Sequence, residues 1–117
     1  MQFMLMCCIE EARWLALSEP ERDAIMADYR SWITGLQRTG QHRASEKLAS
    51  SPAARTLRVR DGRPVVTDGP FAETKEQLGG FHIVDCGDVD EALAIASRIP
   101  TLSVGGTIEV RPLEPPN

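Results

Sequence analysis

The sequence predicts an α+β fold in which an antiparallel sheet carries two helices on one face. Three observations predict it: strand-like apolar segments open and close the chain, two segments repeat apolar residues at helical spacing, and further strand patterns lie between them. The length of 117 residues is typical of one domain. We expect residues 1–112 to form that domain and residues 113–117 to form a proline-rich tail.

The first strand is predicted at residues 2–10, where apolar side chains occupy both faces. Phe3 and Leu5 lie on one face and Met4 and Met6 on the other, because neighbouring strand residues point to opposite sides. A strand that is apolar on both sides is covered on both sides. Helices can cover one face, and a second copy of the chain is the economical cover for the other, so we expect a homodimer.

Two helices are predicted from their apolar stripes and their end signals. The first begins after Ser18, which pairs with Glu21 as a capping box, and it ends at Gly40. The second begins after Asp88 and stops at Pro100. The stripe of the first helix recurs every three or four residues, at Ile25, Tyr29, Trp32 and Leu36.

The middle of the chain predicts further strands. Asp61-Gly62 is typical of a type I′ turn and joins two strands into a hairpin. Residues 42–48 are polar and fit either a strand or a loop, and residues 71–78 are predicted as a loop with at most one helical turn. The remaining strands are predicted at residues 55–60, 64–67, 81–86 and 107–111. This order is the split β-α-β arrangement of a ferredoxin-like sandwich, whose dimers form barrel-like α/β assemblies.

Composition excludes several classes of function. The net charge of −4 argues against nucleic-acid binding, and no segment approaches the ~20 apolar residues of a membrane span. The apolar opening segment lacks a basic head and a cleavage site, so we expect a cytoplasmic protein. The adjacent Cys7 and Cys8 point to opposite faces and no C-x-x-C spacing occurs, so we predict neither a metal site nor a cofactor.

Positive charge is concentrated in one part of the chain. Seven of the thirteen basic residues fall within residues 38–63, where the only acidic residues are Glu46 and Asp61. The pattern fits either the solvated face of a hairpin or a patch that attracts an anion. In the second case Arg58 and Arg60 would hold an anionic ligand.

The tetrapeptide Asp68-Gly69-Pro70-Phe71 is the most unusual local feature. Gly69 permits backbone angles that other residues resist and Pro70 fixes the next angle, so together they aim Asp68 in a set direction. One interpretation is an Asx turn, in which Asp68 bonds its own backbone. The other is a carboxylate beside an aromatic ring that acts as a general base.

The segment 68–76, followed by Leu78-Gly79-Gly80-Phe81, resembles the signature of the DGPF-domain branch of the YCII-related family. The resemblance continues through residues 90–93, 98–100 and 108–112 and so covers nearly the whole chain. It implies a ferredoxin-like fold and dimers that form through the sheets. Some DGPF relatives are encoded beside alternative sigma factors, which suggests a regulatory association with such a factor.

The resemblance also implies a site. In the wider family a His and Asp pair, in a cleft at the dimer sheet, is proposed to be catalytic, and Asp68 matches that Asp. Where the better-known branch has its His, on the first helix, this chain carries Tyr29. His42 and His82 are possible substitutes, and the strand parity of His82 is interpreted as pointing it into the dimer face.

Two hypotheses follow. In the first, the protein is a small-molecule enzyme with Asp68 as general acid or base, assisted by His42 or Tyr29. In the second, it is a non-catalytic ligand-binding or regulatory module that senses a metabolite or contacts a sigma factor. A purely structural dimer is a third alternative, and the sequence names no substrate. The ligand would be lined or held by Phe71, Glu73, Lys75, Arg58, Arg60 and His82.

Overall fold

The computed structural model describes residues 1–115 and has the predicted ferredoxin-like architecture. Four strands form one antiparallel sheet in the order β2-β5-β1-β6, and β3 and β4 form a separate two-stranded hairpin. In chain order the elements are β1 (Gln2–Glu10), α1 (Glu11–Ala16), α2 (Glu19–Arg38), β2 (His42–Lys47), β3 (Arg55–Arg60), β4 (Arg63–Asp68), β5 (Glu76–Asp85), α3 (Val89–Ala96) and β6 (Thr107–Pro112).

The predicted helix starts are confirmed by their hydrogen bonds. The Ser18 hydroxyl accepts from the Glu21 backbone N–H at 3.2 Å, and the Glu21 carboxylate accepts from the Ser18 N–H at 3.2 Å. The Asp88 carboxylate accepts from the Glu91 N–H at 2.9 Å at the start of α3. This helix ends before Pro100, which instead begins a 3₁₀ turn spanning Pro100–Val104.

The core lies between the four-stranded sheet and the helices α2 and α3. Phe3 and Leu5 of the central strand β1 are buried against Leu36 of α2 and Ala92 of α3. The opposite side of the sheet, called here the open face, carries partly buried apolar residues. These are Met4, Met6 and Cys8 of β1 with Phe81 and Ile83 of β5.

The hairpin projects from the rest of the molecule, and its residues 55–68 are called here the arm. Asp61 and Gly62 have φ of 51° and 75°, the positive values that a type I′ turn requires. The described molecule measures 49 × 46 × 19 Å, with a radius of gyration of 16.2 Å. A compact domain of this length has a radius of gyration of about 13 Å, so the arm extends the molecule.

Three local predictions are settled by the structure. Residues 42–47 form a strand that pairs with β5. Residues 71–75 contain no helical turn, and β5 begins at Glu76, five residues before the predicted start. Helix α1 was not predicted. Pro116 and Asn117 of the predicted tail lie outside the described residues, and no helix within residues 1–115 is long and apolar enough to cross a membrane.

Candidate functional site

A cavity of about 560 Å³ opens between the sheet and helices α1 and α2, and it is called here the helix-side cavity. Much of its wall is apolar, with Trp14, Met26 and Ile33 contributed by the two helices. Its polar wall groups come from different elements that the fold brings together. They include Cys7 of β1, Tyr29 of α2, Ser45 of β2, His82 of β5 and Thr101 of the 3₁₀ turn. Ser50 and the charged residues Glu11, Arg30, Glu46 and Lys47 also line the cavity.

Three polar side chains form a continuous hydrogen-bonded chain at this cavity. The Ser45 Oγ lies 2.7 Å from the His82 Nδ1 and 2.7 Å from the His42 Nε2. Because a hydroxyl carries one hydrogen, Ser45 donates to one imidazole and accepts from the other. The same heavy-atom positions therefore fit two arrangements of the protons. In either arrangement, the tautomer of one ring determines the tautomer of the other.

His82 is the buried end of this chain. Its side chain is 6% exposed, stacks on the Tyr29 ring at 5.7 Å and meets the Trp32 ring edge-on at 4.7 Å. Burial, together with the nearby charge of His42, lowers the pKa of His82 to about 4. The ring is thus neutral at pH 7, and since Nδ1 is bound to Ser45, Nε2 is the nitrogen left for a ligand.

Tyr29 and Cys7 add uncharged polar groups to the same wall. The Tyr29 hydroxyl lies 3.1 Å from the Thr101 Oγ1 and donates to the Cys7 Sγ at 3.7 Å. Burial raises the pKa of Tyr29 and that of Cys7 above their ordinary values. Both groups therefore keep their protons at neutral pH, so they can hold a ligand but neither is a base.

The structure separates the predicted Asp68 from the histidines. Asp68 ends β4, its side chain is 89% exposed, and its carboxylate pairs with the Arg55 Nε at 3.1 Å. Within residues 1–115 neither His42 nor His82 is a hydrogen-bond partner of Asp68. Asp68 lines a second, open cleft of about 580 Å³ with Glu73 and Lys75, called here the arm-base cleft.

The other predicted ligand residues lie on or beside the arm. Phe71 is 79% exposed, and its carbonyl accepts from the Arg58 guanidinium at 3.3 Å. Arg60 sits next to the hairpin turn, directly opposite Arg63. None of these three residues lines the helix-side cavity.

The predicted orientation of His82 is wrong. Its parity with Val84 was read correctly, but that set of residues faces the helices and not the open face. Both residues are buried, and each lies across from a buried residue of β1: His82 from Leu5, and Val84 from Phe3. Strand alternation assigns residues to the same side but does not say which side the helices cover.

Sequence reasoning missed Ser45, Thr101 and Trp32. Ser45 lies in a polar segment that fits a loop as well as a strand, and its role depends on lying opposite His82 in the pairing of β2 with β5. Trp32 was assigned to the apolar stripe, yet it also donates from its ring nitrogen to the Ile95 carbonyl at 3.1 Å. Within residues 1–115 no cluster of His, Cys, Asp or Glu is arranged to hold a metal ion.

Comparison with known proteins identifies the class. The sequence profile of the YCII-related domain matches residues 1–117, so the chain belongs to the YCII-related family. An uncharacterized protein of Rhizobium meliloti (strain 1021), R00369, is 38% identical over 114 residues, which span 97% of this chain and 92% of that protein.

A solved structure of similar fold is 5-chloro-2-hydroxyhydroquinone dehydrochlorinase (TftG) from Burkholderia phenoliruptrix AC1100, in complex with 2,5-dihydroxybenzoquinone. The two chains superpose with a TM-score of 0.55 over 97% of this chain and 94% of that one. Their sequences are 14% identical, so the likeness shows a shared fold.

Proposed function

We propose that this chain handles a small organic molecule in the helix-side cavity, with His82 as the group that exchanges a proton with it. The observation that carries the proposal is the hydrogen-bonded chain from His42 through Ser45 to His82, which ends at the cavity wall. Such a chain places a neutral proton acceptor where a bound molecule can reach it.

The cavity fits a planar ring that bears hydroxyl or keto groups. Trp14, Met26 and Ile33 offer apolar surface to a ring, and Tyr29 and His82 supply polar atoms that can orient its oxygens. The 2,5-dihydroxybenzoquinone bound in the TftG structure is a compound of this class. It is therefore the first probe for this protein.

The proton transfer follows from the geometry. In the productive arrangement His82 donates from Nδ1 to Ser45, and Ser45 donates to the His42 Nε2. When the His82 Nε2 accepts a proton from a ligand hydroxyl, the Nδ1 proton passes to Ser45 and the Ser45 proton passes to His42. The ligand oxygen keeps its electron pair, and the net result is a proton moved from the ligand to His42. Without this transfer, the same cavity serves a binding or sensing module.

Calorimetric titration with 2,5-dihydroxybenzoquinone tests where the ligand binds. Ile33→Trp fills the helix-side cavity, so we expect it to weaken binding at least about tenfold relative to wild type. Val89→Trp makes the same kind of change on α3, outside the cavity, and should bind as wild type does. Equal affinity for all three proteins, or no binding to wild type by any of a panel of hydroxylated quinones and phenols, would contradict the proposal.

Asp68 as general acid or base, the role that the resemblance implies, remains a separate proposal. Its support is that Asp68 lines the arm-base cleft, which borders the helix-side cavity at Glu11. Asp68→Asn in the same titration separates the two sites. Weakened binding would place the ligand, or part of it, in the arm-base cleft, whereas unchanged binding favours the helix-side cavity alone.

We propose further that the chain is a homodimer in which the open face of one copy covers that of another. The support is the partly buried Met4, Met6, Phe81 and Ile83, an apolar surface on the side of the sheet away from the core. The DGPF branch, the cytoplasmic location and the association with a sigma factor stay predictions. No observation on the described residues favours a sigma factor as partner.

A further inference from the structure

The arm has two chemically different faces. Because side chains alternate along each strand, the pairs Arg58 with Val65 and Arg60 with Arg63 share one face, which is basic. The other face is apolar and exposed. It carries Leu57 (65% exposed), Val59 (70%) and Val66 (62%), with Pro64 opposite Val59.

The arm receives little support from its own chain. Its side-chain hydrogen bonds and its ion pair stay within residues 53–71, as in the bond from the Thr56 hydroxyl to the Gly69 carbonyl and the pair of Arg55 with Asp68. An isolated two-stranded hairpin is marginally stable in water. A projecting hairpin with three exposed aliphatic side chains on one face is therefore built to lie against something else.

The charge distribution favours a second copy of this chain as the partner. The arm holds four arginines and two aspartates, a net charge of +2, whereas the rest of the chain holds nine basic and fifteen acidic residues, a net charge of −6. The arm of one copy is thus attracted to the body of another. At the border of the open face, Glu46 lies opposite Phe81 and Glu109 lies opposite Met6. Glu109 is paired with Arg111, which lies opposite Met4 on the same face, so Glu46 is the carboxylate of the two without that partner.

We propose that the arms are exchanged in the dimer: the apolar face of each arm lies against the border of the open face of the other copy. This goes beyond a dimer formed by the two sheets, since it makes the arm a second, separate part of the interface. Leu57, Val59 and Val66 cover part of the partner's apolar surface. Arg58, Arg60 and Arg63 stay on the outer face of the arm, where their charge adds a longer-range attraction to the acidic body of the partner.

Two neighbouring valines provide a matched test. Val66→Asp places a charge on the apolar face of the arm, and Val65→Asp places the same charge on the basic face, beside Arg58. Analytical ultracentrifugation of both variants and wild type, with circular dichroism to check the fold, should show a wild-type dimer. We expect Val66→Asp to raise the dissociation constant of the dimer at least about tenfold relative to wild type. Val65→Asp should change the same constant much less.

Each outcome decides the inference. If Val66→Asp and Val65→Asp have equal effects, or if both remain as dimeric as wild type, the arm does not form the proposed contact, although a dimer through the sheets alone still stands. A monomeric wild type overturns both proposals. Should Val66→Asp fail to fold, the milder pair Val66→Ser and Val65→Ser gives the same comparison.

Discussion

His82 is the residue at which the proposed chemistry and the stability of the fold meet. The ionisable ring of His82 is buried in its neutral form against Tyr29 and Trp32, and its Nδ1 is hydrogen-bonded to Ser45. The same burial that places a neutral nitrogen at the cavity makes protonation of the ring unfavourable in the folded state. The site therefore predicts a pH dependence of stability.

We expect the free energy of unfolding to decrease as the pH falls from about 6.5 to about 4. The pKa of His82 is about 4 in the fold and about 6.5 in the unfolded chain, so the unfolded state binds more protons in this window. Stability due to neutral His82 is complete above pH 6.5 and is lost progressively toward pH 4, by roughly 2–3 kcal/mol.

Urea unfolding of wild type and His82→Asn at several pH values in this window measures the effect. Asparagine can still bond Ser45 but does not titrate, so the stability of the variant should depend less on pH than that of wild type by roughly that amount. Parallel pH profiles for the two proteins would show that His82 is not held in the neutral form.

The sequence identified Tyr29, His42 and His82 as candidates but not the way they work together. Each was chosen for its own chemistry, and their contacts are tertiary: Tyr29 reaches His82 through helix packing, and His42 reaches it through Ser45. Asp68 was favoured because of its motif, and the structure gives it a partner, Arg55, that the hairpin register supplies. Local sequence thus indicates reactive residues more readily than their partners.

At the scale of elements, the pairing of β2 with β5 positions Ser45 beside His82, and a glycine makes this close approach possible. A Cβ added to Gly80 would lie 2.8 Å from the Glu46 carbonyl oxygen of β2, whereas one added to Gly79 would lie 3.7 Å from the Cys7 carbonyl oxygen. The first distance requires backbone movement and the second is an ordinary contact.

We therefore expect Gly80→Ala to reduce the free energy of unfolding by about 1–3 kcal/mol, and Gly79→Ala to change it by less than about 1 kcal/mol. Chemical denaturation of the two variants beside wild type measures the difference. Because β2 must move away from β5 in Gly80→Ala, ligand binding in the helix-side cavity should also weaken. Equal stabilities for the two variants would mean that β2 is not held against Gly80 as described.

Elements with local signals were predicted well, and elements that depend on distant contacts were not. The capping box at Ser18 and the turn at Asp61-Gly62 are complete within a few residues, so the sequence contains all the information they need. The start of β5 at Glu76 depends on pairing with Glu10 of β1, far away in the chain. The first residues of β5 have a loop-like composition, so the sequence predicted that this strand begins later, at residue 81.

At the scale of the whole molecule, the fold leaves two apolar surfaces without a cover within residues 1–115: the open face and the apolar face of the arm. The first was predicted from the double apolar pattern of β1, because alternation in a single strand is visible in sequence. The second could not be predicted, since it requires knowing that the hairpin leaves the sheet. In the proposed dimer with exchanged arms, both surfaces are covered.

If the open face is the principal interface, a charge at its centre should dissociate the dimer. Met6 lies between Phe81 of β5 and Glu109 of β6 on this face, so Met6→Asp would bury an unpaired charge in the interface. We expect sedimentation at micromolar concentration to show a dimer for wild type and a monomer for Met6→Asp. Leu93→Asp, at a half-exposed leucine of α3 outside the open face, is the control and should remain dimeric.

The melting temperature of wild type should rise with protein concentration, as it does when folding and association are linked, and that of Met6→Asp should not. A dimer that survives Met6→Asp would place the interface elsewhere on the molecule.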